Sequence, residues 1–270
     1  MISADRPLVL VGAGNMGGAM LNGWLKQGTD PSHVIVIDPK PSEAMAARLA
    51  EYGVRHETEA PEGVTAGVLL VAVKPQITDA ALPAAKKLVG EGTVSVSIAA
   101  GRTMAYLEDH LGGAVIRAMP NTPSMVGRGI TGCFPNASVT LEARNAVAEL
   151  LSVCGEVVWV EQEDHIDAVT AVSGSGPAYA FYLAEAMAEA GRKCGLPEEL
   201  AMQLARATVS GAGELMHQSD EDAATLRKNV TSPNGTTAAA LAVLMDENGL
   251  QPLMDKAVAA AYKRAKELAN

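Results

Sequence analysis

Short apolar runs set the rhythm of the first 160 residues. Leu-Val-Leu-Val at 8–11 and Val-Ile-Val-Ile at 34–37 are β-branched-rich and uninterrupted by polar residues, the pattern of strands covered on both faces. Similar runs recur at 68–73, 94–98, 114–118, 129–134 and 157–160. Helical stretches such as 17–26 and 42–52 lie between them. Strands alternating with helices predict an α/β fold with a doubly wound, mainly parallel sheet. Near residue 161 the pattern changes. The segments 164–172, 178–194, 197–217, 222–228, 236–247 and 251–268 read as helices, with no convincing strand among them. The expected organisation is therefore a sheet domain over 1–160 and an all-helical domain over 161–270. The stretch 178–188 is apolar nearly all round, so a helix there needs cover on several sides. A second copy of the chain is the favoured cover, and a central position in a monomeric bundle is the alternative.

Composition narrows the class. The chain has 270 residues and is 48% hydrophobic but only 3% aromatic, so its core rests on aliphatic side chains. A formal net charge of −10 argues against nucleic acid or an anionic membrane as partner. Cys133, Cys154 and Cys194 are scattered and odd in number, which points to neither a disulfide framework nor a metal site. The first strand begins within a few residues of the start, leaving no room for a signal peptide, and no apolar run would span a bilayer. The expected compartment is the cytoplasm.

The first candidate site follows the first strand. Gly12-Ala13-Gly14-Asn15-Met16-Gly17 has the G-x-G-x-x-G spacing of a Rossmann-like dinucleotide fold. Gly12 permits the tight turn, Gly14 lets a pyrophosphate approach the backbone, and Gly17 lets helix and strand pack closely. Asp38 ends the second strand, 21 positions past Gly17, where a carboxylate accepts hydrogen bonds from an adenosine ribose. Alone it favours NADH, but Lys40 and Ser42 follow and can receive a 2′-phosphate, so NADPH or NADH stays open. Ala72-Val73-Lys74-Pro75 closes the third strand where a cofactor would lie, with Lys74 a ribose contact, a catalytic acid or a plain surface charge. Ala99 and Ala100 leave room for a nicotinamide ring. Asn121, in a loop stiffened by Pro120 and Pro123, either donates to the cofactor or bonds its own backbone.

The second candidate site is the stretch 230–237, Val-Thr-Ser-Pro-Asn-Gly-Thr-Thr, which runs into an alanine-rich helix. A helix start offers free backbone N–H groups and a positive dipole end to a small anion such as a carboxylate. Gly235, Thr236 and Thr237 would supply those groups. Gly174-Ser175-Gly176 looks like a nucleophile elbow, but it sits between helices and not on a strand-to-helix turn, which argues against hydrolase chemistry.

These motifs together resemble the pyrroline-5-carboxylate reductase family over essentially the whole chain. The specific segments are Val172-Ser173-Gly174-Ser175-Gly176-Pro177-Ala178-Tyr179 and the Ser232-Pro233 loop, supported by 12–18, 72–75, 97–101 and 117–123. The resemblance implies reduction of the cyclic imine 1-pyrroline-5-carboxylate to L-proline with NAD(P)H, the last step of proline biosynthesis. It implies that Thr237 hydrogen-bonds the ring nitrogen, that Ser175 and Glu163 lie at the substrate, and that Asn229 touches the cofactor. It also implies interleaved helical domains forming a dimer, with larger rings of dimers in some members. One departure stands out: the family has two glycines after the proline, and here the first is Asn234. Asn is the non-glycine residue that best tolerates left-handed backbone angles.

Two other readings share the cofactor. A β-hydroxyacid dehydrogenase needs a base on a helix, and Lys193, near a helix end, is a poor candidate. A non-catalytic dinucleotide-binding regulator would bind without turnover.

Overall fold

The computed structural model describes residues 2–269. Eight strands form one sheet: β1 (Leu8–Val11), β2 (Val34–Ile37), β3 (Arg55–Glu57), β4 (Val68–Val71), β5 (Val94–Ser97), β6 (Ala114–Met119), β7 (Gly129–Pro135) and β8 (Gly155–Trp159), in the order β3-β2-β1-β4-β5-β6-β7-β8. All neighbouring pairs are parallel except β6–β7. The exception has a simple cause. The 120–128 connection is shorter than the dozen or more residues that a parallel crossover requires, so the chain turns back on itself.

Helices α1 (Asn15–Lys26), α2 (Glu43–Tyr52), α3 (Thr78–Lys86), α4 (Met104–Leu111) and α5 (Leu141–Ser152) cover the sheet. Alternate residues of a strand face opposite ways, and the two cores follow that period. Leu8 and Leu10 pack with Met20, Leu21 and Trp24 of α1 and with Leu150 of α5. Val9 and Val11 pack with Leu82 of α3 and Leu107 of α4. Strand β3 lay outside the sequence expectation because its three residues, Arg-His-Glu, carry no hydrophobic signal. It pairs along β2 at the edge, and its Arg55–Glu57 ion pair (2.8 Å) puts charge where an exposed strand would otherwise invite pairing with another chain.

The remaining helices are α6 (Asp164–Val169), α7 (Gly176–Lys193), α8 (Glu198–Gln218), α9 (Ala223–Asn229), α10 (Thr236–Leu244) and α11 (Leu250–Ala269). One compact unit runs to Gly174 and takes in the chain from Ala261 onward; the other is Ser175–Ala260. The sheet-bearing unit thus extends past residue 160 to include α6, and α11 passes from one unit into the other.

The junction between the two helices around Ser175 is short, with Ser175 itself a bend ahead of α7. Thr170–Gly174 winds as a π-helix between α6 and α7. The Thr170 and Ser173 hydroxyls donate to the carbonyls of Ile166 (2.8 Å) and Val169 (2.9 Å), one turn back along the helix.

In the helical unit, α7 and α8 meet over a small core of Ala188, Ala201 and Ala205. Few other side chains there are covered within one chain. Phe181 is 64% exposed and Tyr182 70%, and α10 buries none of its residues.

Candidate functional site

The glycine loop is shaped by close approach. Gly12 has φ +92°, and a Cβ there would stand 3.0 Å from the Ala72 carbonyl oxygen. A Cβ at Gly17 would fall on the Gly12 carbonyl. Gly14 differs: nothing lies within 4 Å of where its Cβ would be. Its missing side chain opens space toward solvent at the start of α1, where no side chain caps the helix. That is the cradle a pyrophosphate needs, with backbone N–H groups unclaimed and no methyl in the way.

Asp38 stands at the end of β2 beside this loop. Its Oδ2 accepts the Ala13 N–H and its Oδ1 accepts the Lys40 N–H, both at 2.9 Å. A cavity of about 350 Å³ opens here, lined by Gly14, Asn15, Asp38, Lys40, Ser42 and Arg48, among others. Arg48 went unnoticed in the sequence. The available signal was its position one helical turn after Ala44, on the face of α2 that fronts the cavity.

Parallel β1 and β4 bring Ala72 and Val73 beside Gly12. Lys74 is exposed and starts the short 3-10 turn Pro75–Ile77. That turn is held from below. Arg102 pairs with Asp79 (2.8 Å) and reaches the Pro75 carbonyl (3.4 Å), while the Tyr106 hydroxyl donates to Asp79. The Tyr106 hydrogen bond, with the Arg102 charge, holds the Asp79 carboxyl below its ordinary range. Ala99 is buried and its N–H donates to Ser97 Oγ; Ala100 is partly exposed. Asn121 is buried and its Oδ1 accepts the Ile130 N–H (3.0 Å), tying the loop after β6 to β7. The structure therefore brings Gly12, Ala13, Gly14, Asp38, Ala72 and Val73 together, and commits the Asn121 carbonyl to the backbone.

Glu163 is equally committed. One carboxylate oxygen accepts from Arg117 Nη1 (2.8 Å) and from the Met104 N–H (2.6 Å). Arg117 is buried on β6 and bonds Asp167 through Nη2 (2.9 Å). This ion cluster joins β6, α4 and α6, and neither Arg117 nor Asp167 had been singled out as a pair. No sequence spacing signals it, because the partners lie 46 and 50 residues apart.

In the helical unit the Ser232–Gly235 stretch is a tight turn. The Gly235 N–H donates to the Ser232 carbonyl (3.1 Å). Asn234 has φ +59°, and among the described residues it is alone among non-glycines in taking a positive φ. Pro at the second position and a positive φ at the third mark a type II turn, so Asn234 takes the conformation expected of a glycine. Gly235 then becomes the N-cap of α10 with no side-chain cap, which leaves the first N–H groups of the helix open. Thr237 is half-buried, and its hydroxyl has no partner among the described residues. Ser175 precedes α7 and does not cap it. Asn229 ends α9 and donates to Glu221 (2.9 Å), closing its own loop. No group of histidine, cysteine and carboxylate side chains suited to a metal occurs among the described residues.

Comparison with known proteins agrees with this geometry. Residues 163–268 match the family profile described as pyrroline-5-carboxylate reductase dimerisation. Residues 7–101 match the profile of NADP oxidoreductase, coenzyme F420-dependent. The pyrroline-5-carboxylate reductase of Pseudomonas aeruginosa is 40% identical over 266 residues, 97% of each chain. The chain belongs to the pyrroline-5-carboxylate reductase family. The Pasteurella multocida enzyme is 36% identical, over 97% of this chain and 98% of its own. Among solved structures, the Coxiella burnetii reductase superposes with a TM-score of 0.91 at 36% identity, covering 98% of this chain and 99% of that one. The Plasmodium falciparum reductase, solved with NADP bound, has a TM-score of 0.80 at 27% identity, covering 99% of both chains. The chain is thus an NAD(P)H-dependent oxidoreductase with a Rossmann-like domain, and it carries the family's dimerisation region.

Proposed function

We propose that this chain reduces the ring imine of 1-pyrroline-5-carboxylate to L-proline. The observation that carries the reading is the 232–237 turn: it keeps its shape with Asn234 in it and delivers an uncapped helix start. The N–H groups of Gly235, Thr236 and Thr237 hold the substrate carboxylate against the positive end of α10. The Thr237 hydroxyl orients the ring nitrogen. The cofactor, when bound on the glycine loop, supplies hydride to the imine carbon. The electron pair of the C=N π bond passes to nitrogen, which ends protonated, so that one C–H and one N–H bond form. A hydroxyl is too weak an acid to supply that proton by itself, and Thr237 serves to position it. An imine is electrophilic enough once protonated that alignment and exclusion of water are what the protein must provide.

The cofactor contacts in this reading come from Gly12 to Gly17, Asp38, Ala72 to Pro75, Ala99, Ala100, Asn121 and Asn229. Ser175 joins the substrate side, and Glu163 supports the wall through its bonds to Arg117 and Met104. The exposed apolar faces of α7 and α10 pack against a second copy, and dimers build a ring. The three unpaired cysteines fit a reducing compartment, the cytoplasm. Lys193, the base that a β-hydroxyacid dehydrogenase would require, is exposed and sits beside Glu189 (3.8 Å) near the end of α7, which disfavours that chemistry.

The deciding assay follows loss of reduced nicotinamide absorbance on adding pyrroline-5-carboxylate, with NADH and NADPH in parallel. Turnover with formation of proline supports the reading. Folded, oligomeric protein that turns over with neither cofactor refutes it, and binding without turnover would favour the regulator.

A further inference from the structure

The last turn of α11 closes on the loop that follows β5. Residues 261–269 belong to the sheet-bearing unit, although α11 begins in the other. Gly101 shows how near the two segments come. Its φ is +72°, and a Cβ there would stand 2.8 Å from the Leu268 carbonyl oxygen and 3.3 Å from Leu268 Cβ. A side chain at 101 is thus barred twice, by its own backbone angle and by the end of the helix. Two residues earlier, Lys266 donates to Asp164 (3.0 Å), and its ammonium lies 4.7 Å from the centroid of the Tyr262 ring. Asp164 adjoins Glu163, whose carboxylate accepts the Met104 N–H at the start of α4. Adjacent carboxylates therefore hold one loop from two sides: Glu163 grips its exit into α4, and Asp164 grips the helix end that rests on Gly101. Arg102 ties the same loop to the turn after β4.

Little of this contact is core packing. The side chains of Lys266 and Asp164 are 41% and 71% exposed, and Leu268 is 52% exposed. Exposed ion pairs and half-exposed apolar groups add little to stability, so what the contact supplies is position. The loop it positions stands at the carboxyl end of β5, where open parallel sheets bind their ligands. We propose that the last turn of α11 is a positioning element for the nicotinamide end of the cofactor. Lys266 anchors the turn to Asp164, and the Leu268 backbone fixes Gly101 and, through it, the wall formed by Ala99 and Ala100. Lys266 and Leu268 act through that loop and not on the reacting atoms. The inference rests on the reading that Ala99 and Ala100 border the nicotinamide, and it is independent of which substrate is reduced.

The test reads the bound ring directly, without substrate. The directly excited emission of NADPH and of NADH is followed on binding, and adenosine diphosphate ribose, which lacks the nicotinamide, is titrated in parallel. The wild-type protein is expected to change the emission of the bound reduced cofactor. Lys266→Met, and a chain ending at Ala265, should return that emission toward the free cofactor's and weaken the whole cofactor roughly five- to tenfold, the scale of one lost contact. Adenosine diphosphate ribose should move less than about twofold, and Lys266→Arg should restore the wild-type signal. Gly101→Ala should weaken the whole cofactor in the full chain, and less so in the chain ending at Ala265, where only the positive φ still opposes the methyl; this double-mutant cycle isolates the Leu268 contact. Unchanged emission in folded Lys266→Met and in the shortened chain, parallel loss of both ligands, or an equal cost of Gly101→Ala in both backgrounds would each overturn the assignment. Because no substrate enters the assay, a failure of reductase turnover with these results intact would remove the substrate reading and leave this one standing.

Discussion

Removing Arg117 should destabilise the sheet-bearing unit more than any change to the surface pairs. Its side chain is 3% exposed, Asp167 9% and Glu163 30%. At 2.9 Å and an effective dielectric of 20, one such pair attracts by about 6 kcal/mol before desolvation, which costs several kcal/mol per ion. The intact cluster is therefore close to neutral in net worth. Breaking it is not, because Arg117→Met leaves the Asp167 carboxylate buried without its counterion. The expected cost is about 3–5 kcal/mol. Glu163→Gln should cost about 1 kcal/mol, since that group is partly solvated and an amide oxygen can still accept the Met104 N–H. Both tryptophans, Trp24 on α1 and Trp159 on β8, lie in the sheet-bearing unit, so their fluorescence in a urea titration reports that unit directly. A loss below about 1 kcal/mol for Arg117→Met, or a larger loss for Glu163→Gln than for Arg117→Met, would show that burial is not what governs this cluster.

Further outcomes follow from single positions. Gly14→Ala should melt like the parent yet lose dinucleotide binding, because the added methyl meets no protein atom and only the pyrophosphate path; Gly17→Ala should also lose stability, since its methyl meets the Gly12 carbonyl. Normal cofactor affinity in folded Gly14→Ala would place the pyrophosphate elsewhere. Thr237→Ala is expected to lower turnover roughly ten- to a hundredfold, the scale of one hydrogen bond to a charged group, and an unchanged rate removes Thr237 from the mechanism. Asn234→Gly should be neutral, whereas Asn234→Ala should cost about 1–2 kcal/mol for a Cβ held at positive φ and raise KM for the substrate; equal behaviour of the two, in melting and kinetics, would deny the turn its role. Burial pushes the Cys133 thiol up to about 12 and Cys154 up to about 11, while Cys194 is exposed. A disulfide reagent near pH 8 should thus titrate one thiol quickly in folded protein, and two or three fast thiols would contradict the burial. The sign of the linkage is fixed too. Both folded-state values lie above the ordinary thiol value of 9.0, so these thiols favour the folded state below about pH 9, and that contribution is lost as pH rises through 11 to 12.

The strands at 8–11, 34–37 and 68–71 were legible because each is apolar on both faces, and 94–97 because its valines alternate with small serines; each is followed by a turn or helix signal. The three-residue β3 was not, since it has too few residues to show a period and its chemistry is polar. The junction near Ser175 was legible from its glycines and proline, but the π-helical winding of Thr170–Gly174 just before it was not, since no composition or period marks a widened turn. Asn121 and Glu163, both candidates for ligand contact, have an oxygen bonded to the protein itself. Residue type announces that a side chain can bond; only its neighbours decide to what.

Local physics is what the chain alone determined. The spacing of glycines fixed a loop, the apolar periods fixed strand and helix, and Pro233-Asn234-Gly235 fixed a turn ahead of a helix start. Each depends on backbone sterics and on neighbours within a few residues, so each is written where it occurs. The antiparallel turn-back of β7, the Arg117–Glu163–Asp167 cluster and the meeting of Arg48 with Lys40 and Asp38 depend on segments remote in sequence or on the orientation of a helix over a strand end. Burial, charge pairing and cavity shape arise only when those segments are brought within a few ångströms of one another, and tertiary packing alone does that.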